Sequence, residues 1–525
     1  MPAQAKGNKK TMAFDKRGLI AVGMLALVSQ GWSQISGPAP VAWKWQQSTT
    51  VAPGPMETLG ETVFTGVGRR VYALDRATGN QKWRYPAGEP MQANFNRGVL
   101  LGPNTVVAAT DSRVIVGLDA ETGAKKWEVT TPQGILGYPV IAGPFVVASL
   151  ANDTLIAYRI EDGAEGWPAP IAAPGGFFGL IGGGGDNVVF ANQQYEVIAL
   201  DVVSQRFKWK IPFTTLAPNV RPVFNEDTFF VLSGEYIIGL SGVNGGRRVN
   251  INAREQLTSL PAVKGDVISV IGESGFLRSF SRSGKTLHLP VDLKSQPANP
   301  PSFVGDKVAV NTTNGAMQLV DPMSGRLLWT YFLKTAVKPK PAADGKPVSN
   351  VMTAAAPTGF LGTTVFLLGR DGQLQAFDAS SGVDLTAPVV KMKFPTAGAE
   401  MNGRANAGTG NIQPFFLWEL EDEASGVNLE TVKVELDGRP AKFQITRDGE
   451  ILVRINGTDN QGLGDGVRTF TVSVTDWMGN VAKETFKIYI DNTLPPLKSG
   501  SGSSGGAGTG DGGRGGFGGG GREGG

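Results

Sequence analysis

The chain of 525 residues contains no cysteine, which excludes disulfides, thiol nucleophiles, zinc ribbons and lipid attachment through an N-terminal cysteine. It has one histidine, His288, so the usual metal and acid–base constellations are nearly excluded too. Neither sign of charge dominates. Against 49 lysines and arginines stand 46 acidic residues, and a net charge of +3 gives no field that would imply nucleic acid or an anionic membrane as the main partner. The apolar run GLIAVGMLALV at 18–28 has 11 residues, short of the roughly 20 that span a bilayer.

That run follows Lys9, Lys10, Lys16 and Arg17 and precedes small residues with a cleavage point after Gly31 or Ser33. This is the three-part form of an export signal, so residues 1–33 are read as a signal peptide and left out of the fold. Export places the mature chain in the periplasm or cell envelope, or outside the cell, with no transmembrane span once the signal is removed.

What the chain has is repetition. VYALDRATGNQKW at 71–83 returns as VGLDAETGAKKW at 116–127, and further copies follow to make eight. Their anchor positions are Asp75, Asp119, Arg159, Asp201, Ser241, Ser281, Asp321 and Asp378, at steps of 40 to 44 residues and a last step of 57. A period near 40 with alternating apolar strands indicates propeller blades of about four strands, hence eight blades. Within each copy a buried strand ends at the aspartate, and a turn such as Asp75–Thr78–Gly79 reverses the chain. Aspartate and threonine can bond turn amides, and Gly79, Gly123 and Gly325 tolerate positive φ. Eight positions after the anchor stand Trp83, Trp127, Trp167, Trp209 and Trp329, large flat side chains suited to packing between blades. Val249, Leu289 and Thr386 occupy that position in the other copies. Asp75, Gly79, Trp83, Asp119, Gly123, Trp127, Trp167, Asp201, Trp209, Asp321, Gly325 and Trp329 are therefore read as blade-docking residues. VAWKWQQ at 41–47 lies outside any full repeat and is expected to close the ring by completing the eighth blade, which ends without its tryptophan.

The repeat resembles the tryptophan-docking motif of the quinoprotein-like (PQQ-like) propeller superfamily, over residues 41 to about 390. Dehydrogenases of that superfamily bind pyrroloquinoline quinone and calcium above the ring, often beside a cysteine pair. With no cysteine and no inserted segments to build such a pocket, PQQ is not expected, and neither is catalysis. His288, in SGKTLHLPVD, reads as a strand residue rather than a base. GLIGGGGDN at 179–187 has no following GK[ST] and reads as a turn. The arrangement looks like the BamB-type accessory propellers of outer-membrane protein assembly, whose interblade loops bind a protein partner. That resemblance implies an exported, non-enzymatic scaffold, a monomeric ring that binds envelope or outer-membrane proteins and no nucleic acid. Two alternatives stand beside it, a cell-surface or matrix protein that binds polysaccharide and a PQQ-dependent dehydrogenase-like enzyme.

The long step from Asp321 to Asp378 contains LKTAVKPKPAADGKP at 333–347, where three prolines favour an exposed extended loop. Its Lys334, Lys338, Lys340 and Lys346 are candidate partner contacts. After the ring, now bounded at 41–392, residues 393–410 read as a linker rich in glycine, alanine and asparagine. Residues 411–493 carry six or seven short strands parted by Asp-Gly and Gly-Asn turns, a β-sandwich. SGV at 425–427, LDG at 436–438 and TDWMGN at 475–480 resemble bacterial Ig-like modules of exported proteins. Acidic residues at the ends of this module, Glu419, Glu421, Asp422, Glu423, Asp476 and Asp491, could hold calcium, and no other cofactor is expected. Residues 494–525 are glycine-rich, with almost no apolar side chains, and read as a disordered tether. The fold expected is thus all-β, an eight-bladed propeller followed by an Ig-like sandwich and a glycine-rich tail.

Overall fold

The computed structural model describes residues 35–217, 221–335, 350–396, 398–405 and 411–497. The signal at 1–33, Lys338, Lys340, Lys346 and the tail from 498 lie outside the described residues. These are built almost wholly from antiparallel strands, with one 3₁₀ turn at Ala379–Ser381 and no α-helix among the described residues. None of their elements is a helix long and apolar enough to cross a membrane.

Eight four-stranded sheets form an eight-bladed propeller. In blade 1 the order from the axis outward is Glu57–Leu59, Thr62–Val67, Arg70–Asp75 and Gln81–Tyr85, and the first strands of neighbouring blades touch around the ring. The two middle strands are buried on both faces, which is why they read as apolar runs and not as alternating ones. The outer strand QKWRY buries only Trp83 fully. Its charges keep this open edge from pairing with another chain.

Each interface between blades holds its own apolar cluster. Phe64, Val71, Ala73 and Trp83 of blade 1 meet Val106, Ala108, Val116 and Leu118 of blade 2, and the other seven interfaces follow the same plan. The ring is closed as expected from the sequence. Val41–Gln46 pairs with Gln373–Asp378 as the outer strand of blade 8, so the two ends of the repeat share one sheet.

The ring ends earlier than its repeat suggested. Val389–Phe394, read as the last residues of the ring and the first of the linker, pairs with Phe415–Glu421 in the first sheet of a sandwich. Glu400–Met401, within the expected linker, adds a parallel edge to Val481–Ile490 in the second. These segments lack the Asp-Gly turns that marked the other strands, so their composition hid them. The sandwich core is formed by Phe416, Trp418, Ile451, Val453, Phe470, Val472 and Ile488. No cysteine braces it; aromatic contacts such as Phe416 to Phe470, with ring centres 4.4 Å apart, fill the space between the sheets.

The sandwich lies along the outer strand of blade 7, Leu327–Phe332. That strand is buried along most of its length, unlike the outer strand of blade 1, and its sequence LLWTYF carries no charge. Trp477 from the sandwich joins the cluster between blades 7 and 8.

Candidate functional site

The docking phrase works as one mechanism repeated around the ring. The Asp75 carboxylate accepts from the amides of Ala77 and Thr78 and from the Thr78 hydroxyl, and Asp119 does the same with Glu121 and Thr122. Bonds from Thr122 hold the Asp119 carboxyl below the usual carboxylate range. The turn presents the carbonyl one residue after the anchor to the indole of the preceding blade. Trp83 Nε1 donates to Ala120 O at 3.1 Å, Trp127 to Ile160 O at 2.9 Å, Trp167 to Val202 O at 2.9 Å and Trp209 to Gly242 O at 3.3 Å. Trp83, Trp127 and Trp209 lie over the turn glycine of the next blade, Gly123, Gly163 and Gly245, while the turn that receives Trp167 has Gln205 at that position, also at positive φ. A Cβ on Gly123 would stand 2.6 Å from Trp83 Cδ2, and one on Gly245 2.8 Å from Trp209 Cδ2. Bulges at Ala73/Leu74, Gly117/Leu118 and Ala199/Leu200 re-aim the outer strands just where these tryptophans leave them.

Three blades depart from this pattern, the first as the closure by residues 41–47 led one to expect and the other two not read from the sequence. In blade 8 the docking tryptophan is Trp43, which donates to Arg76 O at 2.8 Å and covers Gly79. In blade 6 the turn Ser281–Gly284 is one residue shorter than the others, so the docking position falls on His288, against Gly325, and Leu289 points to solvent at 86% exposure. His288, read as a strand residue, therefore lies outside a strand and packs between blades. In blade 7 Trp329 donates to Ser425 O of the sandwich at 2.7 Å instead of to a turn of blade 8. The sandwich thus takes the seat where the next blade would receive the indole. The uncharged LLWTYF, where the outer strands of blades 1, 2, 4 and 5 carry lysine or arginine, was the signal available in the sequence.

Lys334, expected on an exposed loop, is drawn into this junction. Its ammonium lies 3.7 Å from Glu419 and 3.9 Å from Glu421 and donates to Leu420 O at 3.2 Å. Burial lowers its pKa against the pull of those carboxylates. It binds within the chain. Of the acidic residues at the ends of the sandwich, Asp422 and Asp476 converge with Asp384, their nearest oxygens all within 4.8 Å of one another, while Glu419 and Glu421 face Lys334. Asp384 and Asp476 are buried and already accept from Thr386, Ser425, Met478 and Asn480. Burial raises Asp422 to about 6. Among the described residues, Asp384, Asp422 and Asp476 are the group that could hold a hard cation such as calcium, which takes six to eight oxygen ligands. Asp491 is spent on the turn at Thr493.

The loops that do not repeat carry a different chemistry. On the face formed by the turns between second and third strands and by the connections between blades, an apolar and aromatic strip crosses blades 3 to 5. Leu136 of blade 3 is 37% exposed, and its neighbour Gly137 lies against Leu180. Half-buried Phe178 meets Tyr195 edge-on at 5.1 Å, and Tyr195 O accepts from the amide of Phe213. Phe213 and Tyr236 then line a groove that ends at Arg247. Tyr195 is 39% and Tyr236 41% exposed, although the docking scheme requires neither of them outside. Along the inner strands Glu57, Tyr138 and Arg221 interact electrostatically. Glu57 is open to water, yet enclosure by the ring pushes its carboxyl up to about 7.

A family model described as "Outer membrane protein assembly factor BamB" matches residues 67–254 and 243–413. The outer membrane protein assembly factor BamB of Shewanella oneidensis is 22% identical over 280 residues, 49% of this chain and 70% of that protein. The quinoprotein alcohol dehydrogenase PedH of Pseudomonas putida is 30% identical over 133 residues, 24% of this chain and 19% of that enzyme. Among solved structures, BamB from Moraxella catarrhalis aligns with a TM-score of 0.48 at 17% identity, covering 66% of this chain and 98% of that one.

Proposed function

The chain belongs to the PQQ-like propeller family of outer membrane protein assembly factor BamB, and from that membership we propose that it is an exported, non-enzymatic scaffold that docks a protein of outer-membrane assembly in the cell envelope. The observation that carries this reading is the strip from Leu136 through Phe178 and Tyr195 to Tyr236. Aromatic side chains left partly in water, on loops outside the blade-packing scheme, are what a protein interface uses as anchors. The eight docked blades supply a rigid platform, so binding does not have to order the loops first. The sandwich, read as an Ig-like module, fixes a second body against blade 7 and leaves blades 3 to 5 open.

The test is site-specific photo-crosslinking in the producing cell. A crosslinker at Tyr195 is expected to give one adduct that mass spectrometry identifies as an outer-membrane assembly protein. The same group at Val203, 58% exposed on the opposite face, is expected to give none. Equal labelling from both positions, or none from either, overturns the reading. The enzymatic alternative has its own observation in the match to PedH, which spans a short part of that enzyme. It predicts a cofactor absorbance in protein purified from its source, which the scaffold reading does not.

A further inference from the structure

The face that carries the apolar strip also opens into a cavity of about 550 Å³ at the ring axis. Five blades build its wall, with Pro53 ahead of the first strand of blade 1, Asn96 and Arg97 ahead of that of blade 2, Tyr138 in blade 3, Asn299 ahead of blade 7, and Arg370 from blade 8. Among the described residues that line it, two are cationic and none is acidic. A third guanidinium is held at the rim by the sandwich, where Arg447 donates to the carbonyl and hydroxyl of Thr313, itself a lining residue, at 3.2 and 3.1 Å.

Arginine cannot shed its charge, so guanidiniums gathered without a carboxylate repel one another unless an anion joins them. Arg97 adds a sharper sign. Its Nε is shut off from solvent and has no hydrogen-bond partner; the neighbouring Asn96 Oδ1, also unpaired, is an acceptor and calls for a donor, not an anion. An unpaired donor on a charged group is costly to bury, and the arginine fork matches the two oxygens of a carboxylate or phosphate. The volume suits a small molecule or a side-chain tip and exceeds what a bare phosphate fills.

We propose that the axial funnel is an anion-binding site for a compact carboxylate or phosphate group, carried by a small molecule or by the acidic tip of a protein. The site stands whether or not the strip on blades 3 to 5 binds protein, since its residues are different.

Isothermal titration of the full chain tests it, with inorganic phosphate, malonate and a hexaglutamate peptide as probes at constant ionic strength in chloride. The expected result is saturable one-site binding, with the probes competing. Arg97→Gln and Arg370→Gln should each weaken it by about tenfold or more, while Arg84→Gln on the outer strand of blade 1 leaves it unchanged. Tighter binding of the peptide assigns the source to a protein, and tighter binding of the free anions to a small molecule. Arg97→Lys keeps the charge without the fork and should fall between wild type and Arg97→Gln, and a thermal melt of each variant reports whether it folds. No saturable binding below about 10 mM, or equal weakening by all the arginine changes including Arg84→Gln, overturns the proposal.

Discussion

Replacing Gly123 by alanine tests the docking mechanism at one interface, and Gly60→Ala supplies the control. Both glycines have positive φ, +72° and +58°, so both alanines meet the backbone strain of that region, about 1 kcal/mol. A Cβ on Gly60 meets nothing within 4 Å, whereas one on Gly123 would lie 2.6 Å from Trp83 Cδ2 and 2.7 Å from Cε3. Those are ring atoms of a side chain that is 7% exposed and cannot swing away freely. Overpacking of this kind costs about 1 to 3 kcal/mol. If Trp83 shifts, its bond to Ala120 O is weakened as well, at a cost of about 1 kcal/mol. Gly123→Ala should therefore destabilise the ring by about 2 to 5 kcal/mol, against about 1 kcal/mol for Gly60→Ala. Urea unfolding followed by tryptophan fluorescence reads the difference as a lower midpoint at unchanged slope. Equal midpoints for the two variants would refute the claim that the turn glycine seats the indole of the preceding blade.

Other consequences follow from the same structure. Trp329→Phe removes the donor to Ser425 O, a group with no access to water, and should cost about 1 to 3 kcal/mol; calorimetry is expected to show the sandwich melting separately, which Trp209→Phe should not cause. His288→Trp restores the indole that blade 6 lacks and should raise the thermal midpoint if its N–H reaches the carbonyl of Pro322, while a fall would mean that the shortened turn leaves too little room. Glu57 has a folded pKa of about 7, above its ordinary 4.5, so it penalises the fold fully above pH 7 and not at all below pH 4.5. Glu57→Gln should accordingly stabilise the ring at pH 8, with the gain disappearing by pH 4.5 in paired melts.

Most of the ring was legible because its packing is periodic. A residue such as Asp119 or Trp127 has counterparts with the same job in most blades, and shared physical demands leave shared letters. Closure by residues 41–47 was legible for a related reason, since a repeat that ends without its tryptophan needs one from elsewhere, and Trp43 supplies it. The reading failed where one copy changed length, as at His288, since a deletion of one turn residue moves the docking position while the alignment stays on Leu289. It failed again where a contact joins distant segments. Nothing local at Ser425 says that it receives Trp329, and nothing at Lys334 shows that two glutamates lie opposite. The strip and the funnel were not legible at all. Their residues come from loops of different blades and share no spacing, so only the closed ring brings Gly137 against Leu180 or Arg97 into one cavity with Arg370.

The central claim is that the strip across blades 3 to 5 is the surface that holds a partner, and one measurement addresses it directly. Once the adduct of the Tyr195 crosslinker has been identified, that partner is purified and its affinity measured by surface plasmon resonance for wild type and for Leu136→Ser, Tyr195→Ser and Tyr236→Ser. The account predicts that each change raises Kd by about tenfold or more while the thermal midpoint stays near that of wild type. An affinity untouched by all three substitutions, in proteins that melt normally, would place the partner elsewhere and contradict the account.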